Sequence, residues 1–154
     1  MDKRENIATV EKMEDLMPLM QEALQAGQSV RFSPRGTSML PLIRQGQDQV
    51  VLAPVTTRLR KYDIALYRRE DGRYVLHRAV RTPEPYTFLG DNQFVKEPGV
   101  RQEQLIGVVA GIYRGEKLVC VEHPGYKLYC ILWCGTRGLR HFLRRGIGWL
   151  RRRF

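Results

Sequence analysis

Along the first part of the chain the apolar residues recur at helical spacing. Val10, Met13, Met17, Met20 and Leu24 fall on one face of a segment 9–27, with Thr9 placed to cap its start and Gly27 to stop it. Pro18 sits inside this pattern and is expected to kink or split the helix. From Gln28 onward the period shortens to two. Seven short runs rich in β-branched and aromatic residues read as strands: 29–33, 49–54, 64–68, 74–80, 86–89, 106–113 and 117–121. Asp71-Gly72 between the third and fourth runs is a hairpin signal, and Arg114-Gly115-Glu116 looks like a second turn. Thr82-Pro83-Glu84-Pro85 can only be loop. After Pro124-Gly125 the texture changes again: 126–134 is apolar and aromatic. Leu139, Phe142, Leu143, Ile147, Leu150 and Phe154 then return to helical spacing, with arginines on the other side.

This pattern divides the 154 residues into an N-terminal helical segment (1–27), a β body (28–124) and a basic amphipathic tail (125–154). The expected fold class is mainly β within α+β: a twisted, partly closed β fold flanked by a helix at either end. There is no internal repeat.

Charge sharpens the division. The net charge is +10, and Glu122 is the last acidic residue; beyond it lie Lys127 and seven arginines, so eight of the ten net positive charges belong to the tail. A basic tail with no acid points to an anionic partner at that end. The apolar stripe and two tryptophans, Trp133 and Trp149, favour an anionic membrane surface over nucleic acid. Three cysteines give no disulfide framework, and no zinc set or other metal or cofactor site is evident. The first residues lack the apolar region of a secretion signal, and no run is long enough to span a bilayer. The chain is therefore expected to be intracellular, at most peripheral to the cytoplasmic membrane.

The candidate chemistry begins at Gly36-Thr37-Ser38-Met39-Leu40-Pro41, where a hydroxyl sits on a turn stiffened by proline and is open to an incoming carbonyl carbon. In Leu76-His77-Arg78-Ala79-Val80 the strand period places His77 with Val75 and Ala79 on one face, where partial desolvation keeps an imidazole neutral, as a general base requires. Gly90-Asp91-Asn92 ends the next strand with a carboxylate able either to orient an imidazole or simply to close an Asx-type turn.

These segments, in this order, resemble the boxes of type I signal peptidases. Gly36–Pro41 resembles their Ser-Met-x-Pro nucleophile box, and Lys61–Tyr67 their Gly-Asp-Ile-Val strand, with Tyr62 in place of the Gly. Leu76–Val80 is similar to the His-Arg-Val-Val box of the branch that uses His instead of Lys, and Phe88–Asn92 to the Gly-Asp-Asn box. The resemblance spans residues 30 to about 113. It implies a signal peptidase/LexA-like fold with Ser38 as nucleophile, His77 as general base and Asp91 as the acid that orients it. Glu97 occupies the place of a second, accessory acid. Gly36, Met39 and Pro41 would line the oxyanion and substrate region, with the Ser38 N–H as oxyanion donor. The implied function is a serine endopeptidase acting on a leader- or signal-type polypeptide. The rival from another class is a non-catalytic peptide-binding or membrane-docking module that keeps the fold.

Overall fold

The computed structural model describes residues 13–151, so the expected cap at Thr9, Val10 and the terminal Phe154 lie outside the described residues. Helix α1 (Met13–Gln25) is followed by strands β1 (Val30–Phe32), β2 (Asp48–Ala53), β3 (Ile64–Arg68), β4 (Tyr74–Arg81), β5 (Tyr86–Leu89) and β6 (Glu97–Val100). A 3₁₀ turn (Gln102–Gln104) leads into β7 (Leu105–Arg114) and β8 (Lys117–Cys120). Helices α2 (Pro124–Gly135) and α3 (Arg137–Arg151) complete the order. Over the described residues the architecture is α+β and mainly β: one eight-stranded sheet, antiparallel at every pairing, and three helices.

The strands run β1-β2-β7-β3-β4-β5-β6, and β8 pairs with β7. The long β7 makes this possible. Its first half pairs with β3 through Val108↔Ala65, and its second half with β8 through Ile112↔Val119, while β2 covers the opposite edge. Alternation along β3 feeds two cores. Ile64 and Leu66 join Met17, Met20, Leu24, Val50, Leu52 and Ile112 under α1. Ala65 and Tyr67 join Ala79, Tyr86 and Phe88 in the other cluster. Both sides of β3 are thus dry, which is why its sequence is nearly continuously apolar.

Local signals explain most boundaries. Gly72 (φ +87°) and Gly115 (φ +63°) take the left-handed conformations that turn β3 into β4 and β7 into β8. Gly27 (φ +79°) ends α1, where its N–H meets the Leu24 carbonyl and the Gln28 N–H meets Ala23. The helix is not split at Pro18: it continues through that residue, whose ring is exposed, because Met17 and Met20 on either side are buried. Tyr62, the residue standing in the place of a family glycine, has φ +78° and is the one non-glycine with positive φ among the described residues. Strand β6 lies outside the expected pattern. The tail forms two helices rather than one, with α2 ending at Gly135 and Thr136 between it and α3.

Candidate active site

Ser38 lies on an irregular turn between β1 and β2 that is held from both ends. Ahead of it, Gly36 (φ +98°) donates its N–H to Gln45 Oε1 at 2.8 Å. Behind it, the Leu40 N–H meets the Thr37 carbonyl and the Ile43 N–H the Met39 carbonyl at 3.0 Å. Met39 and Ile43 are buried in the α1 core, so the turn is anchored by apolar side chains flanking a half-buried serine. At its far end Arg44 grips Asp48, the first residue of β2, through its backbone N–H and its guanidinium. Burial alone would push the Asp48 carboxyl up, but these bonds and Arg114 hold it down at about 2.

The Gly90-Asp91-Asn92 segment closes on the back of this turn. The Asn92 N–H donates to the Ser38 carbonyl at 2.8 Å, and Asn92 Nδ2 donates to the Thr37 carbonyl at 3.2 Å. Gly90 is required by close approach. A Cβ there would stand 2.7 Å from the Ser38 carbonyl oxygen, closer than any real contact.

His77 is opposite Ala65 on β3, and only 3% of its surface is exposed. Its Nδ1 is 3.5 Å from Tyr67 Oη and 4.0 Å from Glu97 Oε2. Tyr67 donates its hydroxyl proton to Glu97 Oε2 at 2.6 Å, and Arg69 donates to both Glu97 oxygens at 2.6 and 2.8 Å. This network biases the tautomer. The single Tyr67 proton is committed to a carboxylate, an arrangement that favours the tautomer with hydrogen on Nδ1, toward the phenol oxygen, and the lone pair on Nε2. Burial pushes the His77 pKa down to about 4, with Arg69 adding to the effect and Glu97 and Asp91 opposing it. The ring is neutral at physiological pH. Burial pushes the Glu97 carboxyl up, but the bonds from Arg69 and Tyr67 prevail and keep it below its usual value.

Ser38 and His77 line the same cavity of about 240 Å³, together with Gly36, Met39, Tyr74 and Arg69, but no hydrogen bond joins the two side chains. Pro41 is exposed and outside it. Lys61 and Lys96, the lysines near the boxes, are exposed and do not reach it.

Asp91 is placed differently from its expected role. Successive strand residues point to opposite faces, and Arg78, next to His77, takes Asp91 on the far side. The pair is bidentate, Nε–Oδ1 2.7 Å and Nη2–Oδ2 2.8 Å, and both side chains are almost wholly buried. Arg78 Nη1 also donates to the Tyr62 carbonyl, Tyr126 Oη and Cys130 Sγ. From α2, Tyr129 donates to Asp91 Oδ2 and Trp133 Nε1 donates to the Asp91 carbonyl at 3.0 Å. No hydrogen bond joins Asp91 to His77; the acid facing the imidazole is Glu97, and the phenol between them is Tyr67. Sequence reasoning missed Tyr67 and Arg69. Only the β3–β4 register, which sets Tyr67 diagonal to His77, could have pointed to the first.

No family model, curated protein or solved structure matches the chain.

Proposed function

We propose that the chain is a serine endopeptidase related to the His-using type I signal peptidases, with a variant of the signal peptidase/LexA-like fold. The observation that carries this reading is the shared cavity. A serine on a braced turn and a buried, neutral histidine open onto the same space, and the histidine is backed by a phenol and a carboxylate. A cavity of this size suits one peptide side chain rather than a large ligand. Further support comes from the order of the boxes along the sheet: the serine turn before β2, the Asp-Ile run entering β3, the histidine on β4, and Gly-Asp-Asn after β5.

In the proposed reaction His77 Nε2 takes the Ser38 hydroxyl proton as Oγ attacks the peptide carbonyl carbon. The negative charge moves to the carbonyl oxygen, toward the Ser38 N–H, which no turn hydrogen bond of segment 36–43 engages. The imidazolium returns its proton to the leaving amine as the C–N bond breaks, leaving an acyl-serine. Water, deprotonated by the same histidine, then releases the acid. Glu97, with Tyr67 between, orients the ring and stabilises its charged form; Asp91 acts structurally, holding Arg78 and the loop behind Ser38. By resemblance, the substrate is a leader- or signal-type polypeptide with small residues before the scissile bond.

The test is acylation of Ser38 by a fluorophosphonate probe. Wild type is labelled, Ser38→Ala is not, and His77→Ala labels far more slowly. In peptide hydrolysis the two substitutions together cost no more than either alone, because they act as one unit. A folded wild-type chain that resists the probe, or labelling that persists in Ser38→Ala, overturns the reading.

A further inference from the structure

The tail helices are turned inside out. At 3.6 residues per turn, Leu139, Phe142, Leu143 and Ile147 occupy one sector of α3 about 140° wide. In a water-soluble helical layer that sector would face the protein. Here Arg140, His141 and Arg144 do so instead. The Arg140 guanidinium lies 3.6 Å above the Trp133 ring and donates to the Trp133 carbonyl. His141 packs on Phe94 with ring centres 4.6 Å apart, and Arg144 donates to Asn92 Oδ1 at 2.8 Å. The four apolar side chains are left between 51% and 74% exposed. Helix α2 repeats the arrangement. Tyr126, Tyr129, Cys130 and Trp133 face the Arg78–Asp91 pair, while Leu128, Ile131 and Leu132 are more than half exposed.

We propose that the outer faces of α2 and α3 lie in the headgroup region of an anionic bilayer. Charge selects this occupant. Arg145 and Arg151 are exposed and form no salt bridge among the described residues, and the sequence carries no acid after Glu122. A second copy of the chain would bring the same arginines against these and be repelled. A nucleic acid would leave seven large apolar side chains in water. A bilayer with anionic lipids takes the apolar side chains below the headgroups and the guanidinium groups among the phosphates. No described helix is long and apolar enough to cross a membrane, so the contact is in the plane of the interface. Two of the tail's arginines, Arg140 and Arg144, are spent on the protein, so lipid attraction rests on fewer charges than the tail carries. The proposal is independent of the peptidase reading, because its test reads binding and not turnover.

The experiment is co-sedimentation of the full chain with vesicles of phosphatidylcholine alone, or mixed with phosphatidylglycerol, at two salt concentrations. Wild type partitions to the mixed vesicles, more weakly at high salt. The combined variant Leu139→Ser/Phe142→Ser/Leu143→Ser/Ile147→Ser, its fold checked by circular dichroism, stays in the supernatant. Arg145→Gln/Arg151→Gln alters no packed side chain and keeps the test open should the first variant not fold. At about fivefold per charge it loses roughly twenty-five-fold in partitioning to anionic vesicles. The proposal is overturned by wild type that ignores both vesicles, by equal binding to the two lipid compositions, or by anionic binding unchanged in the arginine variant. Self-association without vesicle binding overturns it in favour of a second copy.

Discussion

Replacing Asp91 by asparagine separates the two roles open to that residue. In the structure its carboxylate neutralises Arg78, whose side chain is 1% exposed. Asparagine keeps the size but removes the charge, and its amide turns donors toward a guanidinium that has only donors. Removing one partner of a buried pair typically costs about 3–5 kcal/mol, because a charge is left in a dry site. For a chain of this length each kcal/mol lowers the midpoint of thermal unfolding by about 2–4 °C, so a fall of roughly 10 °C is expected. The assay is thermal unfolding by calorimetry, paired with fluorophosphonate labelling at a temperature where both proteins remain folded. Labelling there should fall only modestly, through loosening of the Asn92–Ser38 contact. A variant that unfolds like wild type but labels a hundredfold more slowly would refute the structural role and restore Asp91 as the acid that orients His77. Exchanging both partners together, Arg78→Met with Asp91→Leu, should recover much of the lost stability.

Glu97→Gln should do the reverse: little change in midpoint, but labelling slower by on the order of 10²-fold, since the charge behind the proposed base His77 is lost; an unchanged rate would remove Glu97 from the site. Because the folded His77 pKa lies below the ordinary value of about 6.5, the unfolded chain binds more protons between pH 6.5 and 4. Stability from this group therefore falls as pH drops through that window, by about 3 kcal/mol, and unfolding measured against pH should show a shallower slope in His77→Gln. The same shift places the acid limb of labelling near pH 4 to 5; a limb at 6.5 would contradict the buried, neutral ring. Gly90→Ala should push the Ser38 carbonyl away and slow labelling at least tenfold at unchanged His77 geometry, a typical penalty for a small misplacement at a reacting group; normal labelling would show that the turn tolerates the shift.

How much of this was legible beforehand depends on whether a feature is local. The β3–β4 hairpin could be read because Asp71-Gly72 supplies its own turn chemistry, and Ser38 could be placed on a turn for the same reason. Strand β6 could not, since Pro98 and Gly99 within a four-residue run look like loop, and only pairing with β5 makes them a strand. The choice between two carboxylates was likewise hidden. Asp91 and Glu97 both follow β5, and what separates them is that Arg78 faces one way and His77 the other, a matter of register. Tyr62 was visible as a departure from a glycine, but its left-handed backbone was not. Periodicity named the residues sharing a face of α3 and their charge pointed that face outward, yet it placed Trp133 with them and did not show that Trp133, Phe94 and Asn92 draw Arg140, His141 and Arg144 inward.

The loop at Asp91–Asn92 has the serine turn on one side and the tail on the other. Trp133 and Arg144 hold its back, while its front holds the carbonyls of Thr37 and Ser38. Two surfaces that share one support are thermodynamically linked. If docking of the tail strengthens the ordering of the serine turn by some factor, then ordering of the turn, by a ligand that draws Ser38 into place, strengthens docking of the tail by that same factor. A chain cut at residue 124 would therefore not report on an isolated β body, because it would open Arg78 and Asp91 to water and remove the Trp133 and Arg144 contacts that hold the loop behind Ser38.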